Sequence, residues 1–399
     1  MKKRIPQLAS KHDCTGCMAC VGSCRVFALT MQKDSDGHGY PVLDIEKCVK
    51  CLRCEQVCQN TRDFAGNNDI HLSTPYAVWA NEESLRNHST SGGFAAAASK
   101  YFVENNNGVI GVAFDGRSAK HIYVDNDYEL SKFQGSKYVW SDASEVYSSI
   151  AEHLPHQSVL FFGTGCQVAG VLARFHNHPN RDRLYTIDLI CGGVPSDLLM
   201  QTFFKENPNV EAITSFRTKR KYELKGIVKG KEVLLPKQAL PLSGFCAEQT
   251  MRYSCYNCPF SFAHRRSDIT IGDLWGDCFP KDQREKGVSL VVIHSKRGLQ
   301  LLHEIDVSAQ SIAWNEILIT NKRLVFGLTP ITFIRHNLER NYHHMSSKRF
   351  TRIYSNSSTL KHPMGFAIRI WIHLLRKLND IKCANLIKQI IADRQIHIK

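Results

Sequence analysis

Residues 14–24 read Cys14-Thr15-Gly16-Cys17-Met18-Ala19-Cys20-Val21-Gly22-Ser23-Cys24, and residues 48–58 read Cys48-Val49-Lys50-Cys51-Leu52-Arg53-Cys54-Glu55-Gln56-Val57-Cys58. Each cysteine of the second stretch lies 34 residues after its counterpart in the first, so a four-thiol segment is duplicated. A tight loop brings three thiols spaced by two residues to one point, and a fourth must come from elsewhere to close the site. A [4Fe–4S] cluster asks for that arrangement of thiolates. A zinc site with four cysteine ligands is the competing reading. Zinc modules seldom place four cysteines within eleven residues, and still less twice.

Residues 10–62 resemble the two-cluster bacterial ferredoxin domain, in which the fourth cysteine of each run ligates the other cluster. The resemblance implies one cluster held by Cys14, Cys17, Cys20 and Cys58, and a second held by Cys48, Cys51, Cys54 and Cys24. The proline that usually follows the fourth cysteine is replaced by Arg25 and Gln59. Proline is not a ligand there, so both clusters are expected, with shifted potentials. Such centres move single electrons, and the group that uses those electrons is expected further along the chain.

The chain has 399 residues, enough for two or three domains, and its 43% apolar and 22% charged content is that of a globular protein. No apolar run reaches the roughly 18–20 residues of a membrane span. The N-terminus, Met1-Lys2-Lys3-Arg4-Ile5-Pro6, lacks the apolar region of a secretory signal. A cytoplasmic location is therefore expected, where thiols stay reduced and 15 cysteines read as metal ligands more readily than as disulfides. The net charge of +14 is uneven: residues 331–399 hold 13 Lys+Arg and 3 Asp+Glu. From Ala367, the positions Ala367, Trp371, Leu374, Leu375, Leu378 and Ile381 share one side of a helix, with Arg369, His373, Arg376, Lys377 and Asp380 opposite. This pattern suits packing on a neighbouring surface, or peripheral contact with anionic lipid at the inner membrane. Nucleic acid is not an expected partner, because no recognition motif accompanies the charge.

Residues 75–330 alternate short apolar runs with helical patterns. Strands are expected at 76–80, 108–114, 158–162, 184–190, 269–272 and 289–294, with a hairpin over 222–228 and 232–235. Helices are expected from Phe94, from the Gly163-Thr164-Gly165-Cys166-Gln167 turn to Phe175, and after Pro195-Ser196. The expected architecture is an α+β ferredoxin-like domain over residues 1–70, a mixed-sheet α/β domain over 75–330, and a basic helical segment over 331–399. No Gly-x-Gly-x-x-Gly follows a strand. Gly111-x4-Gly116-Arg117-Ser118 has Walker-like spacing but carries Arg in place of Lys, and reads as a strand-end turn. Two loops suit an anion better. Ser91-Gly92-Gly93 precedes a helix start, with Ser91 near the N-cap. Gln134-Gly135-Ser136-Lys137-Tyr138 offers a cation, a hydroxyl and an aromatic face. An ordinary cap and an ordinary turn are the alternative.

Ser91-Gly92-Gly93-Phe94, Gly135-Ser136-Lys137-Tyr138, Gly165-Cys166-Gln167, Cys191-Gly192-Gly193-Val194-Pro195-Ser196, Cys255-x2-Cys258 and Ser267-Asp268-Ile269-Thr270-Ile271-Gly272-Asp273 occur in that order. The set resembles the beta-subunit family of coenzyme F420-reducing hydrogenase and formate dehydrogenase, which includes 7-hydroxymethyl chlorophyll a reductase and a divinyl reductase. The resemblance spans about residues 10–330. It implies an FAD-binding core, with Ser91, Gly92, Gly93, Gly135, Ser136, Lys137 and Tyr138 as cofactor-binding residues, and electron exchange between [4Fe–4S] clusters and an organic small-molecule acceptor. Lys137, Asp268 and Asp273 are the candidate catalytic residues by motif position. Arg252-x2-Cys255-Tyr256-Asn257-Cys258-Pro259-Phe260 with Gly272-Asp273-Leu274-Trp275-Gly276 is most similar to bacterial members associated with surface-polysaccharide synthesis. Many such bacteria need not make F420, so the resemblance leaves open whether F420 is the substrate.

Seven cysteines remain beyond the repeat. Cys166 and Cys191 each follow an apolar strand, and parallel strands would bring both to one sheet edge. Cys255-x2-Cys258 adds two more thiols, and all four match the family's motif positions. A third [4Fe–4S] cluster is expected there, against a zinc site, a redox-active Cys-x-x-Cys or inert buried thiols. The functional expectation is an iron–sulfur flavoprotein oxidoreductase served by a redox partner such as a ferredoxin. The alternative is a non-catalytic electron-transfer subunit feeding a separate enzyme.

Overall fold

The computed structural model describes residues 4–61, 66–219, 221–236, 239–325 and 327–328, with Ser346 and scattered positions between 374 and 389. The duplicated cysteine loops each run into a single helical turn, Ala19–Gly22 and Arg53–Gln56, beside a hairpin of β1 (Leu29–Lys33) and β2 (Gly39–Leu43). Met18 and Leu52, 34 residues apart, both take left-handed backbone, with φ of 65° and 59°. The duplication is thus one of conformation as well as sequence.

The main sheet has nine strands. In chain order they are β3 (Thr74–Ala80), β4 (Gly108–Phe114), β5 (Ala119–Val124), β6 (Ser141–Asp142), β7 (Val159–Thr164), β8 (Leu184–Leu189), β12 (Ile269–Asp273), β13 (Ser289–Ile293) and β14 (Val307–Ser311). The spatial order is β14-β3-β13-β12-β8-β7-β4-β5-β6. The four neighbours β12, β8, β7 and β4 are parallel, and antiparallel strands flank them. A mixed sheet is therefore observed, as the alternation of strand and helix patterns predicts. The central strands read as nearly continuous apolar runs because helices cover both faces. Along β7, Leu160 faces a core with Phe94, Phe102 and Leu301, while Val159 and Phe161 face the core of Val168, Phe175 and Ile150.

A smaller sheet of β9 (Val210–Arg217), β10 (Tyr222–Val228) and β11 (Lys231–Leu234) has its own apolar cluster with the helices Leu198–Glu206 and Leu240–Ala247. The expected hairpin at 222–235 is present, and β9 is its third strand. Sequence reading also passes over β5 and β14, whose patterns mix Lys, His, Ser and Gln among short apolar residues. Gly111–Ser118 is the β4–β5 hairpin, with Gly116 at φ 93° and the Asp115 carboxylate accepting from the N–H groups of Arg117 and Ser118. No described helix is long and apolar enough to cross a membrane. Of the C-terminal amphipathic segment, Leu374, Lys377, Leu378 and Ile381 are helical and exposed, whereas Ile387 is buried in the core around Trp314, Leu318 and Val325. The other residues of that pattern, including Ala367, Arg369, Trp371 and Asp380, lie outside the described residues.

Candidate metal centre and adjoining crevice

Strands β7 and β8 run parallel with Thr164 opposite Leu189, so the chain leaves both at the same edge. Cys166 stands in the first turn of the helix Gly165–Phe175, whose start is fixed by the Thr164 N–H donating to Gln167 Oε1 at 2.9 Å. Cys191 follows β8 by two residues. The turn Tyr253–Asn257 carries Cys255 and leads to Cys258, and a bridge between Pro195 and Met251 pins this turn to the same edge. The four thiols consequently line one chamber. Backbone and hydroxyl donors reach three of the sulfurs: Gly193 N to Cys191 at 3.3 Å, Val194 N to Cys255 at 3.4 Å, and Thr164 Oγ1 beside Cys166 at 3.1 Å. Burial pushes the Cys255 thiol up to about 12 and the Cys166 thiol well above its ordinary value. Bare thiols stay protonated in such a place, and a bound metal centre would take them as thiolates. Arg265 and Arg323 also line the chamber and supply positive charge. Among the described residues, no group of three or more His, Cys, Asp or Glu side chains could hold a single metal ion. Four convergent thiols are a donor set that could hold a metal centre.

Thr15, from the first cysteine loop, lines the same chamber. That loop is seated on the main sheet by specific contacts. Ser254 Oγ donates to the Cys14 carbonyl at 3.1 Å, and Tyr147 Oη donates to the Cys17 carbonyl at 2.7 Å. Arg252 is fully buried; it donates to the Gly39 carbonyl at 2.8 Å and lies 4.8 Å from the centre of the Tyr40 ring. Cys58 lies within electrostatic reach of Cys14, Cys17 and Cys20, the grouping that crossed ligation requires. Cys51 of the second loop is exposed. The two loops therefore differ in setting, one facing the chamber and the other facing solvent.

The two anion-loop candidates meet at the same edge of the sheet, joined by Thr90 Oγ1 and Ser136 Oγ at 3.1 Å. They do not offer the same chemistry. The Gly92 N–H is already donated to Ser289 Oγ at 3.0 Å, and a Cβ at Gly92 would stand 2.3 Å from the Val78 carbonyl oxygen. Gly92 is required by this close approach of backbones. Ser91 donates to the Val288 carbonyl, and the helix Phe94–Glu104 has Gly93 at its N-cap, with φ 90° and no side-chain cap. The expected cap at Ser91 is corrected accordingly. Gly135, at φ 81°, faces open space. Lys137 Nζ donates to the carbonyls of Phe133 and Gln134 at 2.6 and 2.7 Å, with no carboxylate partner among the described residues. Burial lowers its pKa to about 7. The Gly135–Tyr138 turn thus fits an anionic group, whereas Ser91–Gly93 shapes the crevice beside it. Tyr138 stacks on Phe245 at 4.2 Å between ring centres, and Phe245 in turn sits 3.1 Å from where a Cβ of Gly192 would be, next to Cys191. Aromatic side chains fill the space between chamber and crevice.

The two aspartates are separated by the length of β12. Asp273, at its carboxyl end, reaches the crevice and is paired with Arg217 of β9, which also donates to the Thr90 carbonyl at 3.2 Å. Asp268, before its amino end, faces the opposite edge of the sheet. Its carboxylate accepts from Thr186 N, Ser295 Oγ, and Arg297 Nε and Nη2. These partners hold Asp268 at the amino end of β12, whereas Asp273 stands at its carboxyl end. Sequence reading also misses Asp188. It is buried, bonded to Arg265 at 3.1 Å, and holds that guanidinium at the chamber wall. A charge within the apolar run 184–190 is the signal that marks it.

The family model described as 4Fe-4S dicluster domain matches residues 13–61. The model described as the C terminus of the coenzyme F420 hydrogenase/dehydrogenase beta subunit matches residues 156–317. Among solved structures, a chain of the F420-reducing [NiFe] hydrogenase complex from Methanosarcina barkeri is similar at 15% identity and a TM-score of 0.46, covering 76% of this chain and 99% of that one. The chain thus carries a 4Fe-4S dicluster domain at its N-terminus, followed by a region, 156–317, that matches the C terminus of the coenzyme F420 hydrogenase/dehydrogenase beta subunit.

Proposed function

We propose that this protein is an FAD-dependent iron–sulfur oxidoreductase that exchanges electrons between [4Fe–4S] clusters and an organic acceptor. The observation that carries the reading is the chamber lined by Cys166, Cys191, Cys255 and Cys258 and, from the dicluster domain, by Thr15. A third cluster fits there. When bound, the clusters supply one-electron transfer, and a flavin joins it to two-electron chemistry. The chain's own residues do the rest. Arg265 and Arg323 place positive charge beside the thiolates. Gly135, Ser136, Lys137 and Tyr138, with Thr90, would hold the flavin's anionic part, while Ser91, Gly92 and Gly93 form the crevice wall. Lys137, which burial holds near neutrality, is the group suited to carry a proton at its Nζ. Asp273 orients Arg217 over the crevice mouth.

Phe245 and Tyr138 keep water from the space between the two sites. The acceptor is a small molecule, and the sequence pattern supports a role in surface-polysaccharide metabolism. The exposed Leu374, Leu378 and Ile381 on a segment of high positive charge support cytoplasmic location with peripheral attachment to the inner membrane. Anaerobically purified protein should release FAD on denaturation and turn over an acceptor with an artificial reductant. Protein that is loaded with iron and folded, yet stays flavin-free after incubation with FAD, would leave only electron transfer to a separate enzyme.

A further inference from the structure

The outward-facing cysteine loop has surroundings unlike the inward one. Phe27, three residues after Cys24, is 82% exposed and holds left-handed backbone at φ 51°. A bulky residue in that conformation is strained, and the exposed ring buries almost nothing within this chain in return. Val26, Ile45 and Val49 are exposed on the same pair of loops, beside exposed Cys51. Around them stand Arg25, Arg53 and Arg174. Arg25 and Arg53 both lie within electrostatic reach of Arg174, and none of the three has a carboxylate partner among the described residues. Arg25 is exposed, and Arg53 and Arg174 are half-buried. Of the acids nearby, Asp44 is paired with Lys47 at 3.3 Å and Glu55 with Arg4 at 2.6 Å, which leaves the exposed Glu46 as one carboxylate against three guanidinium groups. The face is therefore apolar at its centre and basic at its rim, and its uncompensated guanidinium groups would be satisfied by an acidic surface.

We propose that this face, with Phe27 at its centre and Arg25, Arg53 and Arg174 at its rim, is the docking surface for an acidic one-electron carrier protein. The inference rests on the reading of Cys48, Cys51, Cys54 and Cys24 as cluster ligands. The handover it serves makes and breaks no bond: the carrier is oxidised by one electron and this protein is reduced by one. Entry here leaves the opposite, inward loop free to face the chamber.

The test uses the full chain loaded with iron and, as probe, a small acidic plant-type [2Fe–2S] ferredoxin. Binding is measured by calorimetry at 50 and 300 mM salt, and cluster reduction by stopped flow with reduced ferredoxin or with methyl viologen radical. Binding should weaken about tenfold or more at the higher salt. Arg25→Glu and Phe27→Ala should each weaken it about tenfold at 50 mM salt, and Arg53→Gln should weaken it less. Reduction by methyl viologen should stay within about twofold in all variants. Unchanged ferredoxin binding in Arg25→Glu and Phe27→Ala at full iron content overturns the inference, as does equal affinity for a basic cytochrome. A wild-type chain that takes up no iron fails the cluster reading instead, and the inference falls with it.

Discussion

Ser254 donates its hydroxyl to the carbonyl of Cys14 at 3.1 Å. Cys14 opens the first cysteine loop, and Ser254 immediately precedes Cys255 of the chamber. One hydrogen bond therefore spans the two cysteine sites, and Arg252, two residues earlier, reinforces it from a fully buried position. Losing the Arg252 side chain would strand the Gly39 carbonyl in a dry interface, at a cost of about 1–3 kcal/mol. Arg252→Met is expected to lower the melting temperature of the iron-loaded protein and to make residues 10–40 more open to hydrogen exchange. Ser254→Ala should do the same more weakly.

Gly170 lies one turn beyond Cys166. A Cβ there would meet Tyr147 Oη at 2.8 Å, Cys17 Sγ at 3.1 Å and the Cβ of Ala19 at 3.2 Å. The helix and the first cysteine loop touch at this point with no room for a methyl group. Gly170→Ala should gain about 1 kcal/mol of helix propensity and lose more through displaced packing. Its expected signature is partial loss of the iron held by Cys14, Cys17, Cys20 and Cys58, read by iron analysis and by the visible absorption band.

Much of this arrangement is legible in the sequence. The two cysteine runs, the apolar strands β4, β7, β8 and β12, and the common edge that receives Cys166 and Cys191 follow from spacing and short-range pattern, while the crossed grouping of the runs is what the ferredoxin resemblance implies. What the pattern could not carry is how the duplicated loops differ. Gly16 and Lys50 are equivalent positions, both left-handed, with φ of 69° and 55°. Gly16 lies under Arg252, whose Nη2 would be 2.7 Å from an added Cβ, so only the docked loop needs glycine. That constraint is tertiary, and Lys50 shows that the turn alone does not demand it. Gly92 misleads in the opposite sense: its motif suggests a phosphate cradle, yet its N–H and its missing Cβ are both used by β3 and β13. Asp268 and Asp273 look alike in sequence, and the length of one strand separates their surroundings.

Lys137 gives a pH signature. Its ammonium is buried without a carboxylate, and its pKa falls from 10.5 to about 7. Below pH 7 the fold bears the full cost of the buried charge. Between about pH 7 and the unfolded value the unfolded chain binds the extra proton, so stability rises with pH across that window. Denaturant melts of wild type against Lys137→Met should show the difference shrinking as pH rises from 7 to 10. The same variant is expected to bind FAD at least tenfold more weakly, measured by equilibrium dialysis. A flat pH difference would place the ammonium in solvent.

The proposed attachment to a membrane surface would depend on the exposed apolar positions Leu374, Leu378 and Ile381. Because Ile387 is packed into the core near Leu318, truncating this segment would disturb the fold as well as the surface. Replacing Leu374, Leu378 and Ile381 together by Glu is the cleaner variant. It should abolish sedimentation with anionic vesicles at low salt while leaving iron and flavin content unchanged. Failure of the wild-type chain to sediment with such vesicles would assign the segment to packing.

The central claim is that Cys166, Cys191, Cys255 and Cys258 hold a third cluster. Iron per chain, counted after anaerobic reconstitution of wild type, Cys255→Ser and Cys258→Ser, tests it most directly. The account predicts about twelve irons in the wild type and about eight in each variant, with the two clusters of residues 14–58 intact by electron paramagnetic resonance. An equal count of about eight irons in all three proteins, or zinc in place of the missing iron, would contradict it.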